Sequence, residues 1–100
     1  MRQIATDRSR ASEALIELRK TMGMTQQRFA VEVLNVAVPT VGRYETSHPP
    51  AAKVLLKLAH VAHEIGCYDL ACLFRDLYVE EVNSDLKEIN RLLSTRRNGQ

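Results

Sequence analysis

One hundred residues suffice for one domain with a single hydrophobic core. Hydrophobic residues make up 45% of the chain, against four Gly and three Pro, which suits packed helices better than a sheet or a disordered chain. The net charge of +2 is unevenly placed: residues 1–66 carry nine Lys/Arg and six Asp/Glu, residues 67–100 five and six, so a polyanion would meet the first two-thirds.

No apolar run reaches the ~18–20 residues that cross a bilayer. The polar start of the chain, with Arg2, Arg8 and Arg10, lacks the apolar stretch of a secretory leader. A soluble, cytoplasmic protein with no membrane partner is expected. Residues 1–11 read as a flexible basic arm, more simply a solvated one than a minor-groove reader.

In chain order, Ser12 is a candidate cap for a first helix running to Met22, with Leu15, Ile16 and Leu18 inward and Gly23 as its stop. Thr25 caps a second helix that buries Phe29, Ala30, Val33 and Leu34. Asn35, which tolerates left-handed backbone, marks a sharp turn. A third helix is expected over residues 38–46, with Pro39 near its start, where no backbone donor is needed, failing before His48-Pro49-Pro50. The fourth spans about Ala51 to Ile65, with Val54, Leu55, Leu58, Ala59 and Ala62 inward and Gly66 ending it. From Tyr68 to Ser94 the pattern fits one helix or two collinear ones, with Ser84 as a possible restart and a frayed tail after Thr95. The fold class is therefore all-α: a compact helix bundle over 12–66, a C-terminal extension over 67–95 and a tail over 96–100.

Two helices joined by a tight turn, placed second and third in such a domain, form a DNA-reading device. Here Thr25-Gln26-x-x-Phe29-Ala30, then Leu34-Asn35-Val36-Ala37-x-x-Thr40-Val41-Gly42-Arg43-Tyr44-Glu45, then Pro50 and Leu55-x-x-Leu58-Ala59 resemble the lambda-repressor-like (XRE/Cro) helix-turn-helix family. The resemblance covers about residues 12 to 66. It implies a phosphate- or base-holding role for Gln26, beside Gln27. It also implies a reading face of Val38, Pro39, Thr40, Gly42 and Arg43, and a loop with Ser47 and His48 along a phosphate strand. The chain departs from the pattern in two places: Val31, Glu32 and Val33 stand where the family has two residues, and Asn35 replaces the usual turn Gly. The extra residue is expected to form a bulge in the second helix or to rotate its end. Arg43 is the one long cation of the face, suited to a bidentate contact with guanine, while Val38 suits a thymine methyl. Tyr44 and Glu45 read as internal, one packing on the core and the other capping or pairing.

Val79, Val82, Leu86, Ile89 and Leu93 follow the spacing of a coiled-coil seam and point to a homodimer. The alternative is that they fold back as core. His60, His63 and Cys67 share a helical face, but Gly66 intervenes and no fourth ligand offers itself, so no metal is expected. Cys67 and Cys72 face different directions and are expected to stay reduced. There is no Gly-rich phosphate loop, no paired-carboxylate signature and no nucleophile with a His partner. The expected protein is a non-catalytic regulator of repressor type, without cofactor, that binds double-stranded DNA. The competing reading is an antitoxin-like or adaptor protein that grips a protein partner with the same scaffold.

Overall fold

The computed structural model describes residues 7–99, and the side chains of residues 10–94. Helix α1 (Asp7–Thr21) ends in a left-handed Gly23 (φ 69°). There the Met24 N–H reaches back to Arg19 O at 3.1 Å and the Gly23 N–H to Lys20 O at 2.9 Å, satisfying carbonyls the helix end leaves over. This helix starts earlier than the expected Ser12. The Ser12 hydroxyl does not cap; it sits buried inside α1 and donates to Tyr44 O at 2.8 Å, a tertiary bond in place of a local one. Arg8 and Arg10 accordingly lie on α1 rather than in an arm, and Arg10 approaches Glu80 at 4.0 Å. Arg2 lies outside the described residues.

Helix α2 (Gln26–Arg28) opens as expected, with Thr25 Oγ1 accepting from the Arg28 N–H at 3.1 Å. It runs on as a π-helical turn over Phe29–Leu34, closed by Asn35 in the left-handed region (φ 56°). Asn35 and Val36 both donate to Ala30 O, five and six residues back. The extra residue of this segment is thus absorbed as a wide turn.

Helix α3 (Val38–Thr46) has Pro in its first turn, and α4 (Ala52–Glu64) ends ahead of a left-handed Gly66 (φ 86°). Helix α5 (Tyr68–Gly99) is unbroken. The restart at Ser84 is not seen. Without Gly or Pro before Gly99 nothing interrupts the backbone ladder, and Asn83, Ser84 and Asp85 ride through on the exposed side.

The core collects Leu15 and Leu18 of α1, Phe29, Ala30 and Leu34, Val41 of α3, Leu55, Leu58 and Ala62 of α4, and Leu70, Phe74 and Leu77 of α5. The first third of α5 lies along α4 and touches α1, completing that core. Beyond Ser84, the last residue of α5 beside Pro49 and Pro50, the helix leaves the domain, and Val79, Leu86, Ile89 and Leu93 are 44–59% exposed, with Val82 half-buried. This stretch is therefore not folded back as core. No described helix is long and apolar enough to cross a membrane.

Candidate nucleic-acid interface

The presentation of α3 begins with how its inner side is held. Val41 is fully buried, and Tyr44 packs against the core while its carbonyl accepts the Ser12 hydroxyl. Glu45, 5% exposed, receives Arg19 through two bonds, Nε to Oε2 at 2.7 Å and Nη2 to Oε1 at 3.2 Å. The same guanidinium donates through Nη1 to Met24 O at 3.0 Å. Arg19 thus ties the end of α1, the turn into α2 and the end of α3 into one unit. A planar fork with several donors suits that task where a lysine would not.

Gln26 joins this unit from the start of α2, its Nε2 donating to Glu45 Oε1 at 2.8 Å. Its Oε1 lies beside Gly42, 4.0 Å from where a side-chain carbon at that position would sit. Two residues singled out in the sequence, Gln26 and Gly42, are therefore neighbours, and the small residue leaves the glutamine carbonyl room.

The outer side of α3 is open. Val38 (37%), Pro39 and Arg43 are exposed, Thr40 and Gly42 half-buried, and Gln27 is exposed on α2. Ala37, ahead of α3, supplies no side-chain cap. Past the helix, the Ser47 and His48 N–H groups both donate to Arg43 O at 2.9 Å, and Ser47 Oγ lies 2.9 Å from His48 Nδ1. Ser47 and His48 are exposed. This loop leads into α4, which carries exposed Lys53 and Lys57. At the surface, Arg28 at the end of α2 pairs with Glu32 on the π-helical turn through two contacts of 3.1 Å. The hydrogen bond first, and the opposite charge second, hold the Glu32 carboxyl below its ordinary range and raise Arg28.

Sequence reasoning placed Glu45 internally but missed Arg19, its partner 26 residues away. The only local signal was an arginine in the last turn of a helix that ends at Gly23. Elsewhere, His63 meets Tyr68 with ring centroids 5.3 Å apart. Cys67 and Cys72 are both free thiols, the first half-buried and the second exposed. Among the described residues no group of three or more His, Cys, Asp or Glu is placed to hold a metal ion.

A capped helix, a left-handed turn and a second helix docked by its inner face define a helix-turn-helix domain, a DNA-binding module. The comparison of sequences agrees: residues 15–62 match the helix-turn-helix family model. This segment belongs to the lambda-repressor-like (XRE) helix-turn-helix family. No curated protein and no solved structure matches the chain significantly.

Proposed function

We propose that the protein is a homodimeric transcriptional regulator of repressor type, without catalytic activity, that seats α3 in the major groove of double-stranded DNA. The observation that carries this reading is the orientation of α3: its inner face is fixed by Val41, Tyr44 and Glu45, while Val38, Pro39 and Arg43 stand open to solvent. In this reading Arg43 contacts a guanine edge and Val38 a thymine methyl. Gln26, Gln27, Thr40, Ser47 and His48 lie along the phosphates, with the positive end of the α3 dipole facing them.

One arginine and one methyl contact specify few base pairs, so phosphate contacts dominate the affinity. Pairing two domains through Val79, Val82, Leu86, Ile89 and Leu93 then supplies the missing selectivity, because two half-sites are read together. The chain acts from the cytoplasm in this reading.

Binding to a library of duplexes at several salt concentrations tests the proposal. Log affinity should fall with log salt by roughly 0.9 per neutralised phosphate. Arg43→Ala should cost about 1–3 kcal/mol on preferred sites and little elsewhere, whereas Gln26→Ala should weaken all sequences alike. Salt-independent affinity, or equal losses from both substitutions on every site, refutes the reading. Leu86→Lys with Ile89→Lys should convert a dimer to a monomer in sedimentation.

A further inference from the structure

We infer that residues 79–93 of α5 pair with the same residues of a second copy, parallel and in register, so that each seam residue faces its own counterpart. The inference rests on the homodimer reading above and adds to it the direction and register of the helices.

The first observation is where the chain's own domain sits around α5. Glu80, Glu81 and Ser84 line a cavity with Pro49 and Pro50, so that side of the helix is turned to its own domain, and Arg10 of α1 approaches Glu80 there. In a heptad counted from Val79 as position a, these three residues are b, c and f, and Glu88 is a second c. The seam of Val79, Val82, Leu86, Ile89 and Leu93, at a and d, lies on the other side of the helix. It is therefore turned away from the domain and from three of the four acids between residues 79 and 93. Only Asp85, at g, flanks it.

The second observation is what each orientation brings together. Parallel pairing in register makes five layers, each aliphatic on both sides. Asp85 then lies beside the uncharged Asn90 of the second copy, the e position it meets across the seam. Antiparallel pairing instead sets a against d, and its two best registers each spoil one end of the seam. In one, Leu93 meets Arg75 and Asp85 faces Asp85 across the two-fold axis. In the other, Val79 meets position 96, an arginine in the sequence. One heptad before Val79 the seam positions are Cys72 and Arg75, so the apolar layers begin at Val79; Arg75 is paired with Asp76 at 3.0 Å.

Two heptads are marginal when the helices must form as they associate. Here α5 is already helical, its first third held against α4. With Leu92 beside the seam, six partly exposed aliphatic side chains per chain bring together roughly 1,000 Å², the size at which specific interfaces begin. Parallel pairing also sets both domains at the same end of the seam, where one duplex can meet both.

Two measurements on the full chain test this. Sedimentation under reducing conditions establishes whether the chain and its variants are dimers. Cysteine pairing in a Cys67→Ala/Cys72→Ser background then reads the orientation, because a disulfide needs Cα atoms within about 7 Å. Leu93→Cys and Val79→Cys, at the two ends of the seam, should each link to themselves under glutathione disulfide and shift from the 11.3 kDa single chain to twice that mass. In both antiparallel registers the like residues stand at least about 15 Å apart, at 1.5 Å per residue, and cannot link. Ser84→Cys, on the far side of the helix, should stay single. A chain that is a monomer, or larger than two copies, overturns the homodimer and the inference together. A dimer in which neither end links to itself, or in which Ser84→Cys links as readily, overturns the parallel register alone.

Discussion

Replacing Arg19 with methionine removes the group that fastens three segments, and the cost follows from what is left behind. Glu45, 5% exposed, loses both guanidinium bonds, and Met24 O loses its donor. Breaking a buried ion pair from one side costs about 3–5 kcal/mol, because the remaining charge stays desolvated. Two features favour the lower end of that range: Arg19 itself is 14% exposed, and the Gln26 amide still donates to Glu45. A loss of about 3 kcal/mol in a domain of this size lowers Tm by about 12–24 °C. Urea denaturation followed by circular dichroism should show the midpoint fall with an unchanged slope. The double variant Arg19→Met/Glu45→Leu, which removes the stranded charge as well, should recover at least about half of the loss. A single-variant loss below about 1 kcal/mol, typical of a solvated surface pair, would refute the reasoning. So would a double variant no better than Arg19→Met.

Other substitutions test the local geometry. Asn35→Gly should leave stability nearly unchanged, whereas Asn35→Val should cost about 1–2 kcal/mol, because a β-branched residue resists the left-handed backbone; equal melting temperatures would show that the turn relaxes. Deleting the exposed Val31 should convert the π-helical turn to an ordinary α-helical one and leave a protein at least as stable as the parent; an unfolded deletion variant contradicts this. The folded-state value of the Glu32 carboxyl lies below its unfolded one, so its stabilisation is present at neutral pH and is lost as pH falls through the folded value. Glu32→Gln should therefore remove a small acid-side decline in Tm, small because the pair is solvated; profiles that run parallel through the acid range refute it.

Where the sequence was legible, a residue's role was decided by its immediate neighbours. Thr25 caps α2 and Asn35 takes the left-handed turn because each bonds within a few residues of itself. Gly23 and Gly66 end their helices for the same reason. Ser12 looked identical to Thr25 as a local signal, yet its hydroxyl goes to Tyr44 O, 32 residues away, and the helix runs through it. A short polar side chain beside a helix has both options, and only the packing of α3 on α1 decides between them. The Arg19–Glu45 pair was half legible for a related reason: a carboxylate behind Tyr44 must turn inward, but nothing local says which cation meets it. Asn83-Ser84-Asp85 misled in the opposite sense, since weak helix formers cost only a few tenths of a kcal/mol each and cannot break a helix the way Gly or Pro does.

The extra residue in the second helix shows why the α2–α3 arrangement survives a departure from the family pattern. Inserted into a regular α-helix, one residue rotates everything that follows by about 100°. Leu34 would then leave the core and Asn35 would launch α3 in another direction. The π-helical turn confines the disturbance to the solvent side, where Val31 and Glu32 are exposed, while Phe29, Ala30 and Leu34 all remain buried. The turn at Asn35 thus starts from an undisturbed Leu34, and Val41 and Glu45 reach their partners on α1. The insertion changes the surface beside the reading helix, with the Arg28–Glu32 pair at its edge, and leaves the direction of that helix to contacts made elsewhere.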